Sequence, residues 1–390
     1  MQVYLDNNAT TAVLEEVVAA MVPYFRERLG NPSSLHAPGE EAFAAVQKAR
    51  SAVARLLGAP RPEGVVFTGS ATEATNTAAH AAARAKSSSA RPIAVTSTVE
   101  HAATLNGLAA HFDRVQTVPV DADGNLDEAA ALATIESAGD ELALLSLLWV
   151  NNETGHVQDP ARMARIAAAA RAQGAWVHVD VVQAAGKLPL DVVALGADLA
   201  SLSAHKLHGP KGVGALWIAE RLAEDFTPLL YGGPQERERR GGTENVPGIV
   251  GFGVAAELAR EHVAAGGPDR TRALRDQLEA GLASATGDLV VAAAGATRVP
   301  STACIEFHGI DGEAALMLLA QHGIAVSTGS ACGSSHHGPS HVLLAMGRSE
   351  AEAASSLRLS LSRETTTADI EHTIATLPGV IQTLRTLAGA

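Results

Sequence analysis

Cysteine is scarce in this 390-residue chain, which carries only Cys304 and Cys332. Two distant cysteines exclude a disulfide framework and give no Cys-x-x-Cys metal pair, so no metal is expected. Aromatic residues are also few, at 3%, while hydrophobic residues reach 47%. Much of that apolar content is alanine, which suits closely packed helices more than an aromatic-rich binding face. Positive charge is in deficit: 29 Lys and Arg against 42 Asp and Glu give a net charge of −13. Such a balance argues against nucleic acid as a direct partner, because affinity for a phosphate backbone rests on clustered Lys and Arg. The isolated run Arg237-Glu238-Arg239-Arg240 reads as a surface loop. Long apolar runs are missing too. Leu142 to Val150 is broken by Ser146 and falls far short of the roughly 20 residues a membrane span needs. Met1 to Asp6 shows no basic region leading into an apolar stretch. No membrane partner and a cytoplasmic location are the expectation. There, a solitary cysteine in a polar loop is a candidate for chemistry.

From about residue 13 to 260, short apolar strands alternate with helical stretches. Strands are expected at Val65–Thr68, Ile93–Thr96, Val115–Val118, Leu142–Val150, Trp176–Asp180, Leu199–Ser203 and Val213–Ile218. Helices are expected between most of them, at Thr72–Lys86, Ala102–His111, Glu128–Glu136 and Ala161–Gln173. Strands that are apolar throughout and separated by helices indicate a mainly parallel sheet covered on both faces. The last two strands have no helix between them, which leaves room for an antiparallel member. Beyond 260 the rhythm changes to two long helices followed by mixed strands and helices. The reading is an α/β chain with a large domain at 13–260 and a smaller α+β domain from 1–12 and 261–390. The smaller domain carries a cysteine loop at about 327–340.

In open parallel sheets, ligands bind beyond the carboxyl ends of the strands. After Val65–Thr68 comes Gly69-Ser70-Ala71-Thr72-Glu73, a small-residue turn opening a helix. Its free N–H groups, with the Thr72 hydroxyl, form a phosphate seat or an ordinary capping box. The next strand ends bring Glu100-His101, Asn151-Asn152-Glu153-Thr154-Gly155, Asp180 with Gln183, and Ser203-Ala204-His205-Lys206. Each has a structural reading as a turn former, a cap or a solvated charge. Together they match the needs of pyridoxal phosphate: an amine for its aldehyde, a carboxylate for its ring nitrogen, and polar groups for its oxygen and phosphate. Ser203 and His205 could add phosphate donors, and Thr243 sits in a glycine-rich loop able to approach an anion closely.

These segments, with Tyr4-Leu5-Asp6-Asn7-Asn8-Ala9-Thr10-Thr11, Gly30-Asn31-Pro32-Ser33-Ser34 and Ser330-Ala331-Cys332, resemble in order the motifs of the cysteine desulfurases. The resemblance implies an aspartate-aminotransferase-like fold (fold type I), pyridoxal 5'-phosphate as cofactor and a homodimer. It also implies L-cysteine as substrate and a sulfur-acceptor protein as partner, an iron–sulfur scaffold or a thiolation factor. Carried over by motif, Lys206 is the Schiff-base lysine, His101 stacks on the ring, and Asp180 faces its nitrogen. Asn152 and Gln183 contact the ring-side oxygen. Ala71, Thr72, Ser203 and His205 hold the phosphate, with Thr243 donated by the other subunit. Arg358 matches the arginine that takes the substrate carboxylate, a task suited to a planar guanidinium fork. Arg363 is second choice, and Asn31 is assigned to the site's mouth.

Cys332, in the small, polar stretch Ser327 to Ser335, is the expected sulfur-accepting nucleophile. That stretch resembles the group I desulfurases. Cys304, in an apolar strand, reads as buried filler. The nearby His336, His337 and His341 read as solvated loop residues or as a source of positive charge. Alternatives are another fold-type-I enzyme, such as a class V aminotransferase or a selenocysteine lyase, and a sulfur-relay scaffold with little turnover.

Overall fold

The computed structural model describes residues 2–85, 91–329 and 338–389. Twelve strands occur among these residues. In chain order they are β1 (Val3–Tyr4), β2 (Val65–Thr68), β3 (Ile93–Ser97), β4 (Arg114–Val118), β5 (Leu142–Leu148), β6 (Trp176–Asp180), β7 (Leu199–Ser203), β8 (Gly214–Ile218), β9 (Val290–Val291), β10 (Thr302–Glu306), β11 (Ile324–Ala325) and β12 (Ser356–Ser360). Strands β2 to β8 form one sheet in the order β2-β8-β7-β6-β5-β3-β4. The pairs from β7 through β4 are parallel, and β8 alone runs against both of its neighbours, β7 and β2. The link between β7 and β8, which holds only a three-residue 3-10 turn at Ala204–Lys206, is thus an antiparallel one.

Alternate residues of these strands serve two cores, as the pleat requires. Val65, Phe67, Leu145, Leu147, Val177, Val179, Ala200, Leu202, Ala215 and Trp217 pack with buried residues of the helices Ala37–Leu57, Pro160–Ala172 and Val246–Ala264. Val66, Ala94, Leu144, Trp176, Leu199, Leu216 and Ile218 face the opposite way, against Ala74, Ala78, Ala81 and Ala82 of helix Ala71–Arg84. Alanine at those four positions lets the helix lie close to the sheet, which places its N-terminus at the carboxyl edge of β6 and β7. Strand β5 ends at Leu148, two residues before its expected end. Its register with β6 runs out at Asp180, and Val150 instead bridges Val157 across a tight turn.

A third apolar core joins Val3 and Leu5 to Leu274, Leu278 and Leu282 of helix Gly267–Thr286, to the sheet β12-β10-β9 and to helix Thr367–Ala388. The first strand is paired with β11, far along the chain. Residues 6–11 then cross toward the large sheet. The Asp6 backbone bridges Ser360, and Thr11 donates its N–H to His205 O at 2.9 Å. No helix among the described residues is long and apolar enough to cross a membrane.

Candidate active site

Strand parity determines what points where at the carboxyl edge. On β6, Trp176, His178 and Asp180 share a face; on β7, Leu199, Ser201 and Ser203 do. Both faces look toward helix Ala71–Arg84. His178 is fully buried between Ser146 Oγ (2.8 Å) and Ser201 Oγ (3.1 Å), and Thr75 of the helix donates to Ser201 Oγ at 3.2 Å. Burial drives the His178 pKa down to about 4, so it is a neutral spacer beneath the site. Asp180 and Ser203, one step further along their strands, reach a cavity of about 310 Å³.

Ala71, Thr72, His101, Asn152, Asp180, Gln183, Ser203, His205, Lys206 and Arg358 all line that one cavity. The cavity wall also includes Ser70, Thr75, Leu148, Val150 and Asn8. Ser70 caps the helix by accepting from Glu73 N at 3.1 Å, while Glu73 accepts from Gly69 N at 2.7 Å. The turn is a capping arrangement and a cavity wall at once. Gly214 of β8 lies against it: a Cβ there would sit 2.5 Å from Ser70 C and 2.8 Å from Ala71 N.

Asp180 is pushed up to about 6, chiefly by burial, although the Val182 N–H at 2.8 Å and nearby Lys206 pull the other way. His101 is the N-cap of helix Ala102–His111, its Nδ1 accepting from Ala103 N at 3.0 Å. That bond places the ring hydrogen on Nε2, and burial with the charge of Lys206 holds the imidazole neutral at pH 7. His205 is driven to about 4 by burial and Lys206. Lys206 Nζ donates to Asn8 O at 2.5 Å and Ala9 O at 2.8 Å. The turn former after β5 is Asn151, whose Oδ1 accepts from Glu153 N and Thr154 N, and this frees Asn152 for the cavity. Gly155, at φ +75, closes the turn with no room for a side chain, since a Cβ would meet Thr302 Cβ at 2.7 Å.

Arg358 on β12 is 2% exposed. Its Nη2 donates to Asp6 at 2.9 Å and its Nη1 to Asn152 O at 3.2 Å, while Nε has no partner among the described residues. A buried guanidinium with its Nε–H unpaired, on a residue of a cavity wall, is suited to an anionic ligand. Arg363 lies elsewhere, in a separate small cavity.

Two expected residues, Asn31 and Thr243, are not on this wall. Asn31 is exposed and accepts from Ser33 N at 2.9 Å, a turn role. Thr243 is exposed on this chain's surface. Cys332, like His336 and His337, lies outside the described residues. The two flanks of that segment meet near Glu153. Ser340, which caps helix His341–Ala345, donates to Glu153 Oε2, and a Cβ on Gly329 would lie 3.0 Å from the same oxygen. His341 Nε2 lies 3.0 Å from Glu100 O. Cys304 is buried, and burial pushes its thiol up to about 12, far from thiolate character at neutral pH.

Sequence reasoning missed Asn8, which is 2% exposed and ties four segments together through its side chain and its backbone N–H. Its Nδ2 donates to Asn152 O (3.1 Å) and Thr302 Oγ1 (2.9 Å), its Oδ1 accepts from Lys187 (3.0 Å), and Ser360 Oγ accepts from its N–H (2.9 Å). The paired asparagines after an N-terminal strand were the available signal.

The donor set fits pyridoxal 5'-phosphate. An acid whose carboxyl is pushed up by burial, a helix N-terminus and a lysine all line the one cavity, matching a cationic ring nitrogen, a phosphate and an aldehyde.

Comparison with known proteins gives the same picture. The family described as Aminotransferase class-V matches residues 3–373. The chain is 45% identical over 392 residues to the cysteine desulfurase of Cereibacter sphaeroides, covering 99% of this chain and 97% of that one. It is 44% identical to the cysteine desulfurase NifS of Azotobacter vinelandii, covering 99% and 94%. A solved structure of a NifS-like protein superposes with a TM-score of 0.88 at 34% identity, covering 98% of this chain and 100% of the other. The chain belongs to the class-V aminotransferases, a family of pyridoxal-phosphate-dependent enzymes with the fold type I architecture. Within that class it is one of the cysteine desulfurases.

Proposed function

We propose that this enzyme takes sulfur from L-cysteine in the cavity at the β6–β7 edge and delivers it to Cys332 as a persulfide. The observation that carries the reading is that single cavity, which gathers Asp180, His101, Lys206, a helix N-terminus and the half-satisfied Arg358. In this reading Ala71, Thr72, Ser203 and His205 hold the cofactor phosphate, Asn152 and Gln183 its ring oxygen, and Lys206 its aldehyde. Thr243 would come from a second copy of the chain in a homodimer. Residues 13–260 would form the cofactor-binding unit, with the remainder presenting Arg358 and the cysteine. When bound, pyridoxal phosphate supplies an electron sink for the substrate's α-carbon.

The chain's own groups do the rest. Arg358 holds the substrate carboxylate. Lys206 Nζ takes the α-proton. Cys332, as thiolate, forms an S–S bond to the substrate sulfur as the substrate's C–S bond breaks. The bond pair stays with carbon, and a proton replaces the sulfur, giving L-alanine with no outside oxidant or reductant. With its Nδ1 engaged, His101 exchanges protons through Nε2. The persulfide then passes to an acceptor protein, an iron–sulfur scaffold or thiolation factor of the cytoplasm.

Cys332→Ser should keep the yellow colour of bound cofactor yet release no alanine and gain no sulfur by mass spectrometry after cysteine treatment. Normal turnover in that variant would reject the role of Cys332. An amino-acid–keto-acid exchange assay separates the reading from an aminotransferase.

A further inference from the structure

Lys187 is absent from the wall of the large cavity and lies behind it, beside a pocket of about 40 Å³. Its Nζ donates to Gln183 Oε1 at 2.6 Å and to Asn8 Oδ1 at 3.0 Å. An ammonium can only donate, so each contact fixes the position of an amide oxygen. The other ends of the two amides face carbonyls through longer, neutral hydrogen bonds. Gln183 Nε2 donates to Asn8 O at 3.0 Å, and Asn8 Nδ2 donates to Asn152 O at 3.1 Å, both carbonyls that can only accept. Neither amide can be turned over without setting donor against donor or lone pair against lone pair. Gln183 lines the cavity, and with its oxygen committed to the ammonium, an N–H is the group it has left for a ligand.

We propose that Lys187 is a positioning residue that locks Gln183 as a hydrogen-bond donor toward the ring oxygen of bound cofactor. The inference rests on the cofactor reading above. A deprotonated ring oxygen only accepts, so an inverted Gln183 would repel it. The charge on Lys187 has its own interest in that oxygen. Burial lowers its pKa to about 7, and Lys206 and Arg358 push it the same way, whereas an anion beyond Gln183 opposes all three.

The test titrates the apo-enzyme with pyridoxal phosphate and with the analogue lacking the ring hydroxyl, following visible absorbance or protein fluorescence. Lys187→Met should bind pyridoxal phosphate about tenfold or more weakly, the worth of one charge-assisted hydrogen bond, while Lys187→Arg stays within about threefold of the parent. The loss should vanish with the deoxy analogue and in a Gln183→Leu background. Lys187→Gln carries the same comparison should the methionine variant fail to fold. Parent-like affinity in Lys187→Met, or an equal loss for both ligands, overturns the proposal. A parent that binds neither ligand overturns the cofactor reading itself, and is told apart because the failure is already present with Lys187 in place.

Discussion

Glu100 stands beside His101 in the chain, and its side chain is sealed from solvent. Oε1 accepts from Ser97 Oγ at 2.6 Å and Leu148 N at 3.0 Å, but Oε2 has no partner among the described residues. Burial, reinforced by the charge of Asp180, raises the pKa from 4.5 to about 8. Between those values the unfolded chain releases a proton that the folded chain retains, so stability falls as the pH climbs through that window. Glutamine at this position is free of the cost. Glu100→Gln should therefore be more stable than the parent at pH 8, by on the order of 2 kcal/mol, and indistinguishable near pH 4. Thermal unfolding of the apo-protein at the two pH values measures this; an advantage independent of pH would contradict the assignment. Residues such as His101 and Asp180 were legible in the sequence because each follows an apolar run that had to be a strand. The state of Glu100 was not, since nothing in Val99-Glu100-His101 says that its far oxygen has no partner.

At the scale of elements, the proposed phosphate seat is a helix end held by a strand. Gly214 lets β8 pass directly under Ser70 and Ala71. Gly214→Ala would push that turn outward and tilt the first N–H groups of the helix Ala71–Arg84 away from the cavity. Cofactor affinity should fall by about tenfold or more, with loss of the sheet's close fit adding about 1–3 kcal/mol of destabilisation. Equilibrium dialysis of apo-variant against pyridoxal phosphate gives the first number and thermal unfolding the second. Most long elements were readable from periodicity, including the helix Ala102–His111 at both ends. The two-residue strands β1 and β11 and the five-residue helices His341–Ala345 and Glu350–Ala354 were not. Segments so short carry less than two turns or one pleat of pattern, and pairing with distant chain decides them.

Across the whole molecule, the site is closed by contacts that span the sequence. Lys206 and Asn8 are 198 residues apart, and Arg358 and Asp6 are 352 apart. Local spacing cannot announce such meetings, which is why Asn8 and Lys187 escaped notice while Lys206 and Arg358 were found through the motifs they sit in. Asn8→Ala removes three side-chain hydrogen bonds at once and leaves the Lys187 ammonium without one of its acceptors. It should lower stability by about 2–4 kcal/mol and weaken cofactor binding as well, because Gln183 loses part of its support. Thermal unfolding with and without cofactor would show both effects; a change in stability with unaltered binding would place Asn8 outside the chain of contacts that reaches the cavity.

The crossing segment also fixes when, during synthesis, the enzyme can become active. Asp6, Asn7 and Asn8 emerge from the ribosome about 350 residues ahead of their partners Arg358 and Ser360. The large sheet can assemble on a nascent chain, but its lysine pocket stays unroofed until translation has passed the final strand. Cofactor capture should thereby wait for that strand, and a chain stalled before it should sediment on ribosomes without acquiring colour.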